Sequence, residues 1–195
     1  MPIKLFIGIM TTHIIKEGAH YDNKILSASP WLKSVPSIKY QITFSADCQY
    51  TLPTYYQDNV NKLFGLQFGF KLWKDHTGAW DVGVHWNSAR FGWRWSETDQ
   101  CIELLAYSYY NGVRNWDAQM RFPVVAQVKL GDTIELEIVS TKDSYMFYSE
   151  KKGETKNCFT MQHGPQTQWF GLTHGLMFGG SVVAPHIMHV EMKRI

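Results

Sequence analysis

A hairpin in the middle of the chain places residues able to bind an anion on one face. The runs 85–95 and 102–112 alternate in polarity and flank the polar loop Ser96–Cys101. Pairing them antiparallel gathers six candidate ligand-binding side chains on one side: Arg90, Arg94, Glu103, Tyr107, Tyr109 and Asn111. Arg offers a planar fork that suits carboxylate, sulfate or phosphate, and Tyr offers a flat ring with a hydroxyl. We predict that this side, called the Arg/Tyr face below, binds a ligand.

The same pattern also fits an ordinary solvated sheet face. In that interpretation Arg94 and Glu103 form a cross-strand ion pair, and Arg90 packs on the ring of Tyr107. Under either interpretation the face is expected to be open, with Arg90 and Arg94 about 13 Å apart along their strand.

The opposite side of the hairpin is apolar. The pairing sets Trp93 opposite Leu104 and Phe91 opposite Ala106, a large residue across from a smaller one in each case. We therefore expect Phe91, Trp93, Ile102 and Leu104 to be buried.

Three further polar residues are additional candidates for the site. His85 and Asn87 precede the hairpin, and a regular strand would put them on the side opposite Arg90 unless a bulge near Ser88 intervenes. His186 follows Pro185 at the start of a terminal strand, where it is expected to hydrogen-bond the adjoining loop.

Motifs for metal, cofactor or nucleotide binding are absent from the sequence. The His, Asp and Glu residues lack recognised metal spacing, and the sequence has no GxSxG elbow, P-loop or GxGxxG. We therefore assign no catalytic residue, metal or cofactor by motif. Cys48, Cys101 and Cys158 form no CxxC pair and are expected to be unrelated thiols.

Composition narrows the class of protein. The 195 residues suit one domain over 1–195, and the net charge of +2 gives no support for a nucleic-acid partner. The apolar stretch from Leu5 to Met10 is shorter than a signal-peptide core, and no run is long enough to span a membrane. We expect a soluble protein made in the cytoplasm.

The chain is expected to be almost entirely β structure. Aromatic residues make up 15% of it, and apolar residues alternate with polar ones along most predicted strands. Strands are predicted at 3–9, 38–45, 63–72, 134–138, 145–149 and 186–192, with one short helical turn near Asp58–Leu63. This pattern predicts an antiparallel β-sandwich of jelly-roll, concanavalin-like type.

Three motifs resemble a family of uncharacterised small proteins of bacteria and their phages. They are Asn87-Ser-Ala-Arg-Phe-Gly-Trp-Arg-Trp, Ile102-Glu-Leu-x-Ala-Tyr-x-Tyr-x-Asn-Gly and Phe178-Gly-Gly-x-x-x-Ala-Pro-His. The resemblance covers the chain from about Tyr40 onward, and it implies no specific activity.

A weaker resemblance is to lectin-like and alginate-lyase-like jelly rolls, in which a concave sheet carries an Arg-x-Glu-x-Arg strand. Here the strand reads Arg90-Phe-Gly-Trp-Arg94, with Gly92 in place of the acid and no clear Gln-x-His strand to accompany it.

Two classes of function remain open. The sequence favours a non-catalytic binding or structural module that recognises an anionic glycan, or that assembles with itself or in a phage virion as an accessory or decoration protein. The alternative is a polysaccharide lyase in which Arg90 or Arg94, with Asn111, neutralises a uronate carboxylate while Tyr107 or Tyr109 moves the protons. A phage protein that sequesters a nucleotide through paired arginines is a further hypothesis.

Overall fold

Two antiparallel sheets pack face to face in the computed structural model, which describes residues 9–23, 30–32, 36–69, 73–74, 80–81, 85–115, 121–165 and 170–195. The chain is thus an all-β sandwich of jelly-roll type, as the alternation predicts. The strand predicted at 3–9 lies outside the described residues except for Ile9, and so do residues 70–72 of the strand predicted at 63–72.

The first sheet has six strands in the spatial order β1, β15, β3, β11, β12, β13. Their bounds are β1 Thr11–Ile15, β3 Ser37–Phe44, β11 Thr133–Ser140, β12 Ser144–Lys151, β13 Asn157–Gln162 and β15 Met188–Arg194.

The second sheet has the order β10, β8, β7, β4, β14, β2, and β9 pairs with the end of β8. Their bounds are β2 Pro30–Leu32, β4 Asn61–Phe68, β7 Ser88–Ser96, β8 Cys101–Tyr110, β9 Val113–Arg114, β10 Val124–Val128 and β14 Phe170–His174. A separate two-stranded ribbon joins β5 Trp73–Lys74 to β6 Trp80–Asp81.

The central hairpin has the predicted register. In β7 and β8, Trp93 pairs with Leu104, Phe91 with Ala106, Arg94 with Glu103, and Arg90 with Tyr107. Ser96 and Cys101 form the pair that closes the loop. Each next pair lies one residue further from the loop on both strands, so the closing pair fixes the register of all the others.

The core lies between the sheets and is rich in aromatic rings. Trp93 is fully buried, and its ring packs 5.3 Å from Phe44 of the first sheet and 6.1 Å from Phe178 (centroid to centroid). Phe91 meets Phe147 edge to face across the two layers at 5.3 Å. Phe91, Trp93, Ile102 and Leu104 are all buried, which confirms the predicted core side of the hairpin.

The helical turn predicted near Asp58–Leu63 is wrong in position. The helix is Thr54–Gln57, directly after Pro53, while the residues from Asn61 onward already belong to β4. Proline fixes φ in a value suited to the start of a helical turn, which explains the earlier position. Pairing of β4 with both β7 and β14 holds residues 61–68 extended. No helix within the described residues is long and apolar enough to cross a membrane.

Candidate functional site

The Arg/Tyr face is covered, not open. Arg90, Tyr107 and Tyr109 are only 5%, 6% and 4% exposed. Leu105, Tyr107, Tyr109 and Phe122 form a second apolar cluster on this side of the sheet, with Val60 packed against it. The prediction of an open face is therefore wrong for these three residues. Phe122 packs on the rings of Tyr107 and Tyr109, and Val60 packs against the same cluster.

Two tyrosine hydroxyls meet within this cluster. Tyr107 and Tyr109 are two residues apart on β8, so their side chains leave the same face of the sheet. Their Oη atoms lie 3.3 Å apart, and the Phe122 ring lies 4.2 Å from the Tyr107 ring. Burial, and then the neighbouring Tyr109, raise the pKa of Tyr107, so that its hydroxyl stays protonated and able to donate through neutral pH.

A tight turn brings Arg114 to the Tyr109 hydroxyl. Asn111 and Gly112 both have positive φ, 52° and 78°, and the chain reverses so that Arg114 pairs with Tyr109. The Nε–H of Arg114 donates to Tyr109 Oη at 2.6 Å. Asn-Gly is the preferred sequence of a two-residue hairpin turn. The Asn111-Gly112 pair is therefore a sequence signal that predicts Arg114 opposite Tyr109.

Lys62 of β4 reaches the same cluster. It is buried, donates to the carbonyl of Val60 at 2.9 Å, and places Nζ 5.0 Å from the Tyr107 ring centroid. Burial, and to a smaller extent the charges of Arg90 and Arg114, lower its pKa to about 8. The sequence did not reveal Lys62 because the register shifts between Lys62 and Phe64, which breaks the alternation of β4.

A missing side chain makes room for Arg90. A Cβ at Gly65 would lie 2.4 Å from Arg90 Cγ and 2.4 Å from the carbonyl oxygen of Ala89. The stem of Arg90 therefore lies directly over the backbone of Gly65 on the neighbouring strand. This is the close approach that a glycine inside a strand often marks.

A neutral histidine, His174, lies on β14, the strand that pairs with β4. His174 Nε2 donates to Gln67 Oε1 at 2.7 Å, and the amide nitrogen of Gln67 donates to the carbonyl of Gly69 at 3.3 Å. Burial, with a smaller effect of Arg90, lowers the pKa of His174 to about 3, so the ring is uncharged near neutral pH. The two residues come from β4 and β14, which is why no Gln-x-His motif reveals them.

The residues predicted just before the hairpin separate into two roles. His85 lies on the Arg/Tyr side, with its ring centroid 4.9 Å from that of Tyr109. The opposite-face expectation is wrong because β7 begins only at Ser88 and His85 belongs to the preceding turn. Asn87 is buried and its Oδ1 accepts from the backbone N–H of Asn111 at 2.7 Å, so this pair holds the turn between β8 and β9.

The remaining predicted residues lie at the margins. Arg94 donates from Nε to Glu103 at 2.6 Å, as the cross-strand pairing predicted, and from a terminal nitrogen to Asp58 at 3.1 Å. His186 donates from Nε2 to the carbonyl of Asp47 at 2.8 Å. Asp47 belongs to a 3-10 turn (Ala46–Cys48) whose Cys48 contacts His189 of β15, so His186 packs at the end of the first sheet.

Metal ligands do not converge in the part of the chain that the structure describes: no three His, Cys, Asp or Glu side chains there could share an ion. The three cysteines are free thiols, with Cys48 and Cys101 buried and Cys158 exposed. Burial raises the pKa of Cys48, which makes it a poor nucleophile.

Comparison with known proteins gives a likeness of fold. No family model and no curated protein matches the sequence. Solved structures that share the architecture include a marine PL-14 alginate lyase from Aplysia kurodai, with a TM-score of 0.52, 14% identity and coverage of 95% of this chain and 80% of that chain. A functionally unknown protein from Saccharomyces cerevisiae has a TM-score of 0.48, 10% identity and coverage of 95% and 84%. A legume lectin-like domain from Entamoeba histolytica has a TM-score of 0.42, 11% identity and coverage of 96% and 87%. At such identities the likeness to the alginate lyase is one of fold alone.

Proposed function

We propose that the protein is a polysaccharide lyase that cleaves an anionic, uronate-containing glycan by β-elimination. The observation that carries this proposal is the contact between the hydroxyls of Tyr107 and Tyr109, 3.3 Å apart and buried beside three cationic side chains. Those cations are Lys62, Arg90 and Arg114. Both arginines act electrostatically on Lys62 and on Tyr107, and the Lys62 ammonium lies 5.0 Å from the Tyr107 ring centroid.

The reaction needs three kinds of group. A base removes the proton on C5 of the uronate, the electron pair forms the C4–C5 double bond, and the C4–oxygen bond breaks while the leaving oxygen takes up a proton. Negative charge builds on the carboxylate side of the sugar as the C5 proton leaves, so that fixed positive charge lowers the barrier. The tyrosine pair supplies the proton transfers, and Arg90 with Lys62 supplies the positive charge.

Electrostatics favours an anionic substrate at this face. Burial opposes the protonation of Lys62, and the positive charges of Arg90 and Arg114 add to that cost. Coulombic interactions are stronger in a partly desolvated site than in water. A carboxylate that entered beside Lys62 and Arg90 would offset the repulsion between these two cations, which favours the binding of a uronate.

The experiment incubates the protein with alginate and follows ultraviolet absorbance of the unsaturated uronate end. Alginate is the first probe because its sugars are all uronates and because the similar structure from Aplysia kurodai is an alginate lyase. Pectate, hyaluronan and a neutral glucan complete the panel. We expect product from a uronate polymer, and a loss of about 100-fold or more in Tyr109→Phe.

The matched control is Tyr148→Phe on β12 of the first sheet, which should keep full activity. Absence of unsaturated product from every uronate polymer, with folded protein, would refute the lyase proposal. Binding of a uronate polymer without product would instead support the non-catalytic glycan-binding hypothesis.

A further inference from the structure

We propose that Arg114 is a positioning residue that makes Tyr109, and not Tyr107, the base that takes the C5 proton. This inference rests on the proposed lyase function and assigns the roles within its tyrosine pair. The juxtaposition behind it is the 2.6 Å contact from Arg114 Nε to Tyr109 Oη, beside the 3.3 Å contact between the two hydroxyls.

The contact with Arg114 has a fixed direction. A guanidinium group has only donors and stays charged, so the oxygen of Tyr109 must be the acceptor in it. The charged carbon of Arg114 also lies 5.8 Å from the Tyr109 ring centroid. The Arg114 Nε–H therefore points directly at the oxygen that we assign as the base and holds it in place.

Tyr107 is placed for the complementary role. Its ring lies under Phe122 and beside the Lys62 ammonium, and its hydroxyl contacts Tyr109. Its Oη can donate to Tyr109 or to the leaving oxygen of a bound glycan. A general acid must carry its proton before the reaction, and the buried Tyr107 hydroxyl does so at neutral pH.

The proton transfers balance over one turnover. The Tyr109 phenolate takes the C5 proton and becomes a neutral phenol, while Tyr107 gives its proton to the leaving oxygen and becomes a phenolate. The proton on Tyr109 then passes to Tyr107 across the direct contact between the two oxygens. The starting state returns with no outside acid or base.

The test separates the two roles with a leaving group that needs no proton. We would compare a uronate oligosaccharide with a uronide that carries fluoride at C4, because fluoride departs without an acid. Tyr107→Phe should lose about 100-fold or more on the oligosaccharide yet stay near wild type on the fluoride substrate. Tyr109→Phe should lose a similar factor on both.

Arg114→Met should lower kcat by about 10- to 100-fold on both substrates with little change in KM, because it misplaces the base without removing a substrate contact. Arg114→Lys should recover part of that loss, since lysine keeps the charge but lacks the fork. The matched control is Arg194→Met, which removes an exposed arginine at the end of β15 in the other sheet. A kcat of Arg114→Met equal to wild type would overturn the assignment, and so would survival of Tyr109→Phe on the fluoride substrate.

A measurement without turnover keeps this inference separate from the lyase proposal. The Cζ resonance of Tyr109, assigned by its loss in Tyr109→Phe, should shift in Arg114→Met and move back towards wild type in Arg114→Lys. An unmoved resonance would overturn the positioning role even in an active lyase. A shifted resonance in a protein that cleaves no uronate polymer would uphold the contact while refuting the lyase function.

Discussion

The ammonium nitrogen of Lys62 lies 5.0 Å from the ring centroid of Tyr107, in a part of the sheet where both side chains are buried. The aromatic face and the carbonyl of Val60 partly compensate the ammonium for its lost hydration. The compensation is incomplete, because the pKa of Lys62 falls from its ordinary 10.5 to about 8. The protein therefore holds positive charge at this face at a cost to its stability.

Replacing Lys62 by Met should stabilise the folded state at neutral pH. Between about pH 8 and pH 10.5 the unfolded chain keeps a proton on Lys62 that the folded chain has lost, so rising pH favours folding through this residue. Below pH 8 the folded chain carries the full cost, which is on the order of 3 kcal/mol from about 1.4 kcal/mol per pH unit.

Urea unfolding of wild type and Lys62→Met at pH 7 and pH 9.5 measures this cost. The variant should be the more stable protein at pH 7, and its advantage should shrink at pH 9.5. The difference in stability between the two proteins cancels the contribution of other groups that titrate in this range, because both proteins contain them. A difference that does not change with pH would show that Lys62 titrates as it does in water.

Arg90 and Arg94 should differ in their contribution to stability although they are four residues apart on one strand. Arg90 is 5% exposed and its stem covers Gly65, so Arg90→Ala should leave a cavity and cost about 2 kcal/mol. Arg94 pairs with Glu103 and Asp58 at the margin of the sheet, where such pairs contribute about 0 to 1 kcal/mol. Melting temperatures of both variants give the comparison, and equal losses would contradict it.

The hairpin shows how far the sequence alone could lead. Alternation along β7 and β8 and the loop between them fix the register, so every predicted pair, such as Arg94 with Glu103, is present. Alternation tells which residues share a face, but it does not tell what covers that face. Phe122 reaches Tyr107 from a distant segment, and nothing in the local pattern of β8 signals that contact.

Lys62 and His174 were not predicted as site residues for a similar reason. Lys62 lies on β4, which pairs with β7, and His174 lies on β14, which pairs with β4, so the two residues join the site only when the sheet assembles. A register shift also hides the parity of Lys62. Pairings between strands distant in sequence depend on the whole topology, whereas hairpin pairings depend on the local loop. Arg114 is the exception, because the Asn111-Gly112 turn next to it is a local signal.

Trp93→Ala should be among the most destabilising changes in the second sheet. The ring is fully buried and lies between Phe44, Tyr50 and Phe178. Large-to-small aromatic changes in a core cost about 3 to 5 kcal/mol, because the cavity left behind collapses only in part. Equilibrium denaturation measures the loss, and a value below about 1 kcal/mol would contradict the packing between the sheets.

Phe122→Ala should open the Arg/Tyr face to solvent. The Phe122 ring is 8% exposed and lies 4.2 Å from Tyr107 and 6.5 Å from Tyr109 between centroids, so it shields both hydroxyl-bearing rings. Its removal should cost about 2 kcal/mol, less than a core phenylalanine, because this cluster packs against one sheet and not between two.

The measurement is nitration of tyrosine by tetranitromethane, with the modified residues located by mass spectrometry. In wild type Tyr107 and Tyr109 should react slowly, and in Phe122→Ala both should react several-fold faster because the reagent gains access to the rings. Phe159→Ala, on β13 of the first sheet, is the matched control and should leave these two rates unchanged. Equal nitration of Tyr107 and Tyr109 in wild type and Phe122→Ala would mean that a ligand reaches the tyrosine pair by a route that Phe122 does not guard.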